Sequence, residues 1–152
     1  MEELENDKAY RIPAEERIER IDALLNALAH LDGGAKQAQH YTDVSPDLLI
    51  LAVTKGGNHI FGHVVGANAQ GKPTIKIDAL RQALTVFRDQ VLSKIYVGWV
   101  QGYLDEERAR FEAALQSDDG LKEWVGDIII EHPRDALQAL TMELKQNYDW
   151  LA

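Results

Sequence analysis

LLILAVT, residues 48–54, is apolar on both faces and short enough for a strand. It follows Pro46 and ends at the turn-forming KGGN of residues 55–58, so it reads as a strand, and its two-sided apolar character predicts a central, buried position in a sheet.

Upstream, a helix is expected to start near Pro13, a residue suited to a first helical turn, with Glu15, Glu16 and Glu19 favouring its N-terminus. Ile18, Ile21, Leu24, Leu25, Leu28 and Leu31 recur at helical spacing as one stripe, and Asp32-Gly33-Gly34 reads as its end. The first dozen residues are polar and read as a frayed terminus.

Downstream, HIFGHVV (59–65) is a second strand candidate, and TIKI (74–77) is placed to pair with it as a hairpin across the polar loop 66–73. Asp78 is the expected N-cap of a helix carrying Leu80, Ala83, Leu84, Phe87, Val91 and Leu92. KIYVGWVQGYL (94–104) has the β-branched and aromatic alternation of a strand. A surface helix is predicted from Asp105 to Leu115, broken by Ser117-Asp118-Asp119-Gly120. WVGDIII (124–130) reads as a last strand or a short buried helix. Pro133 then opens a helix with Ala136, Leu137, Leu140, Leu144 and Tyr148 on one face. The class is α+β, in one domain: a terminal segment at 1–12, a body at 13–104 and a helical extension at 105–152.

The 152 residues carry a net charge of −9, which by itself disfavours nucleic acid. The charge is segregated along the chain. Residues 1–32 sum to −5 and residues 105–152 to −7, whereas residues 33–104 sum to +3, with Lys36, Lys55, Lys72, Lys76, Arg81, Arg88 and Lys94 as the bases. The absence of cysteine excludes a disulfide framework, zinc ribbons and thiol nucleophiles. No apolar run approaches the roughly 20 residues of a membrane span, and the acidic start is unlike a signal peptide, so a cytoplasmic location is expected.

Enzymatic signatures are weak. Gly66-Ala67-Asn68-Ala69-Gln70-Gly71-Lys72 fits G-x-x-x-x-G-K, but Pro73 follows where a phosphate-binding loop needs a hydroxyl, and TIKI delays the helix that should start there. His59 and His63 would stand about 13 Å apart on an extended strand, too far to share an ion. Ser45, Ser93 and Ser117 lack a nucleophile context, and Glu106-Glu107 and Asp118-Asp119 sit in solvated charged stretches. Neither a catalytic centre nor a metal or cofactor is expected. GGAKQAQHYTDVSP (33–46) remains: glycines that admit close approach, Lys36 for a phosphate, and Gln37, Gln39, His40 and Tyr41 as donors or a stacking ring. A plain polar loop after a helix end has the same composition.

The pattern IDALLNALAHLDGGAKQAQHYTDVSPDLLILAV followed by TKGGNHIF resembles the backbone subunit of type I CRISPR effector complexes, the seventh CRISPR-associated protein family in its DevR autoregulator branch. The likeness runs through ALRQALTVF and YVGWVQGYL to about residue 104. It implies an RNA-recognition-motif-like (ferredoxin-like) palm with a hairpin insertion. It also implies a non-catalytic role in holding the CRISPR RNA backbone, stacking on further copies and other effector subunits, and presenting the guide to target DNA. Carried across by motif, Gly33, Gly34, Lys36, Gln37, His40 and Tyr41 would face RNA, with Asn58 and His59 as additions. The likeness falls on the C-terminal half of full-length members, which implies a partial palm whose missing half would come from elsewhere. The contrasting expectation is an acidic α+β interaction or regulatory module without nucleic acid.

Overall fold

The computed structural model describes residues 12–31 and 44–151. The elements run α1 (Ala14–Ala29), β1 (Leu48–Leu51), β2 (Val65–Ala67), β3 (Pro73–Ile75), α2 (Ile77–Val86), β4 (Ile95–Trp99), α3 (Asp105–Ser117), the four-residue α4 (Asp119–Lys122), β5 (Ile128–Glu131) and α5 (Pro133–Gln146). Short 3₁₀ turns follow α2 and α5, at Arg88–Gln90 and Tyr148–Leu151. The fold is mixed α+β.

The main sheet has the order β1-β4-β5, with β1 antiparallel to β4 and β5 parallel to it. Among the described strands the central one is therefore Ile95–Trp99, every residue of which is buried, and LLIL is an edge strand of intermediate burial. Its two-sided apolar pattern reports cover over both faces of the sheet, which an edge strand shares with a central one. Strand alternation then divides the interior into two cores. Ile95, Val97, Trp99 and Ile128 face the hairpin, α2, α3 and α4, meeting Leu84, Phe111 and Leu121. Tyr96, Leu49, Leu51 and Ile129 face α5 and α1, meeting Leu25, Leu137, Leu140 and Leu144.

Several boundaries differ from expectation. HIFGHVV is mostly turn: Val64 N donates to Phe61 O, and Phe61 and Val64 plug the first core, leaving only Val65–Ala67 to pair with Pro73–Ile75. Lys76 occupies the N-cap position of α2, so Asp78 falls in the first turn, where its carboxylate pairs with Arg81. The stripe on α1 is divided, with Ile18, Leu25 and Ala29 buried but Leu24 60% exposed. That helix ends at Ala29 with His30 as C-cap, before the glycines, which lie outside the described residues. Tyr148 lies past the end of α5 and is exposed, because Asn147 already caps the helix. No helix among the described residues is long and apolar enough to cross a membrane.

Candidate nucleic-acid interface

Six of the expected RNA-facing residues, Gly33, Gly34, Lys36, Gln37, His40 and Tyr41, lie outside the described residues. The anchors of the connection that contains them are described. On one side Arg134, in the first turn of α5, donates its Nε–H to Ala29 O at 3.0 Å and so ties down the end of α1. On the other, Val100 N donates to Asp47 O at 2.9 Å, and Leu48 stands opposite Trp99. Both anchors thus sit where β4 ends and α5 begins.

Asn58 and His59 are exposed and follow a turn in which Gly56 adopts φ +98°. The turn is held by Lys55 N donating to Gln90 O at 2.7 Å and by the Thr54–Val91 bridge. It lies beyond the opposite end of β1. Six residues of extended chain span about 20 Å, so these two side chains and the anchors of the 32–43 connection are at opposite ends of the sheet.

The basic centre is partly neutralised in three dimensions. Arg81 pairs with Asp118 as well as Asp78, and Arg88 pairs with Glu123 while lying 5.8 Å over the Trp124 ring. Two of the seven bases thereby fold against the acidic C-terminal segment. Lys55, Lys72, Lys76 and Lys94 are exposed and have no ion-pair partner among the described residues.

The G-x-x-x-x-G-K stretch is the tip of the β2–β3 hairpin. Asn68 N donates to Lys72 O at 2.8 Å and Gly71 N to Asn68 O at 2.9 Å, while Asn68 Oδ1 accepts from Gln70 N at 3.0 Å and Lys72 N at 2.9 Å. Amides that would surround a phosphate are spent within the turn. The polar cavity of about 480 Å³ beside it is walled by Asp105, Glu106 and Glu107, the wrong sign for phosphate. Hydrogen bonds from Thr74 and Arg110 hold the Glu107 carboxyl below the usual range, so it stays charged. No group of three metal-ligating side chains occurs among the described residues.

Two further carboxylates were not apparent from local sequence. Glu143 accepts from Tyr96 Oη at 2.8 Å and from Lys94 N at 3.2 Å, which pins α5 to β4; burial, then the Glu143 bond, pushes the Tyr96 phenol upward. Glu131 ends β5 with a buried Oε1 that has no hydrogen-bond partner among the described residues, and burial, followed by the charge of Asp135, raises its pKa. A carboxyl whose folded pKa exceeds its unfolded value penalises the fold only where it ionises. The penalty is absent below the unfolded pKa and develops as pH rises through the folded one. Glu131→Gln is accordingly expected to melt above wild type at pH 7, and the two melting temperatures to converge near about pH 3.5, where glutamate is largely protonated.

No protein-family model, curated protein or solved structure matches this chain.

Proposed function

We propose that the chain is a non-catalytic, RNA-holding part of a type I CRISPR backbone subunit, binding CRISPR RNA through the 33–41 connection. The observation that carries this reading is the sequence signature itself: an apolar helix, GGAKQ, a short polar stretch, Pro46 and an apolar strand. Its support in the fold is that this connection joins α1 to β1 at one end of the sheet, with Arg134 at its root. In this reading the three-stranded sheet is the partial RNA-recognition-motif-like palm and β2–β3 its inserted hairpin. Lys36 contacts the RNA backbone, and further copies, the complementary half of the palm and other effector subunits are the protein partners.

Fluorescence anisotropy with a single-stranded RNA tests it. Binding should be largely independent of sequence and weaken steeply with salt, since phosphate contacts dominate. Lys36→Ala should weaken it and flatten the log–log salt slope by about one unit, the signature of one lost phosphate contact. No affinity at low salt, with the complementary half of a palm supplied, would sink the proposal. The second reading, an acidic interaction module, is favoured by the Arg81–Asp118 and Arg88–Glu123 pairs, which remove cations from an RNA surface. It would then stand.

A further inference from the structure

β1 is the edge of its sheet, and no strand lies against its outer side among the described residues. Because Asp47 O accepts from Val100 N, antiparallel alternation assigns the backbone groups of residues 47, 49 and 51 to β4. The N–H and C=O groups of Leu48, Ile50 and Ala52 therefore point outward. Edges are commonly blunted by lysine, proline or an inward charge, and residues 48–53 hold none of these.

α1, which packs against α5 on the same side of the sheet, carries further apolar side chains. Ile21 joins the same core as Leu49, Leu51 and Val53. Leu24, Leu28 and Leu31 continue its row at 3-4-3 spacing into solvent, and residues 23–31 contain no Lys, Arg, Asp or Glu.

We infer that β1 is a self-docking edge, across which a second copy of this chain pairs its own β1 antiparallel, joining two three-stranded sheets into one of six. The charges flanking the edge select this occupant. The uncharged run is bounded by Asp47 at one end and Lys55 at the other, both exposed and without an ion-pair partner among the described residues. Two-fold pairing centred on Ile50 sets each Asp47 diagonally beside the Lys55 of the other copy, twice over. Parallel addition would set like charge on like. Two chains of net −9 repel over most of their surfaces, and this charge-free edge with complementary ends is where the repulsion is relieved. The pairing is a closed two-fold, independent of whether RNA is bound.

Sedimentation equilibrium on the nuclease-treated full chain tests it, alongside amide hydrogen exchange. Wild type should show a monomer–dimer equilibrium, and exchange at Leu48 and Ile50 should slow as concentration rises. Asp47→Lys and Lys55→Asp, both at exposed positions, should each raise the dimer dissociation constant about tenfold, because each turns two attractive contacts repulsive. The double reversal should restore it, and the single-variant losses should shrink in high salt. Three results would overturn the inference: a monomer at every concentration, a dimer indifferent to the charge reversals, or an Ile50 amide whose protection does not depend on concentration. Loss of RNA binding without change in this equilibrium would count against the RNA reading alone.

Discussion

Trp99→Ala is expected to cost about 4 kcal/mol, the range for deleting a fully buried aromatic side chain. Trp99 closes the central strand at 2% exposure, stacks on Phe111 with ring centroids 6.1 Å apart, and donates its Nε1–H to Tyr103 O at 2.6 Å. That hydrogen bond holds a turn in which Gly102 sits at φ +92°, which glycine adopts freely, and Leu104 at φ +49°, which a non-glycine residue keeps only with support from its surroundings. Natural domains are stable by about 5–15 kcal/mol, so the loss takes a large share of the total. Urea denaturation should show a lower midpoint with an unchanged slope. Trp99→Phe keeps a ring against Phe111 but strands the Tyr103 carbonyl, and should cost about 1–3 kcal/mol. If both variants lose equally, the hydrogen bond rather than the ring volume is what matters.

Gly98→Ala is expected to be nearly as damaging, at about 3 kcal/mol, although it adds a single methyl group. A Cβ on Gly98 would stand 2.6 Å from Pro133 Cα and 2.8 Å from Leu49 Cδ1. The leucine can shift, but Pro133 is backbone at the first turn of α5 and moves only with the helix. The variant should therefore loosen the docking of α5 and expose Leu137 and Leu140. Thermal melting should fall by about 6–12 °C, at roughly 2–4 °C per kcal/mol for a chain of this size. Gly126→Ala is the control, since a Cβ there meets nothing within 4 Å.

What could be read from sequence was what is decided locally. Pro133 marks the start of α5, the acidic turn at Asp105 the start of α3, and the Ile95–Trp99 alternation the strand that became the centre of the sheet. The rank of LLIL within the sheet was not legible. An apolar residue on a strand reports what lies above and below it, and the strand beside β1 comes from residues almost fifty positions later. HIFGHVV misled for a related reason. Its apolar residues are buried by a turn that folds Phe61 and Val64 inward, which a strand-like composition cannot distinguish. The charge segregation was real along the chain and partly undone in space, because Arg81 finds Asp118 37 positions away and Arg88 finds Glu123 35 away. Of the expected RNA-facing residues, Asn58 and His59 are the two that the structure describes, and they sit at the far end of β1 from the roots of the loop that holds the others.

The partnership of α1 and α5 has a consequence for how the chain comes to be folded. The bonds between them link positions 105 and 123 residues apart, Arg134 to Ala29 and Lys145 to Asp22, and the core beneath α1 is built largely from α5. During synthesis α1 emerges more than a hundred residues before α5 and waits with Ile18, Leu25 and Ala29 uncovered until residues 133–146 have left the ribosome. Translation at about 5–20 residues per second makes that wait several seconds, long compared with helix formation. The vulnerable species in the life of this protein is the nascent chain that has α1 and lacks α5, and any pause in translation between the two lengthens the time in which α1 can find the wrong partner.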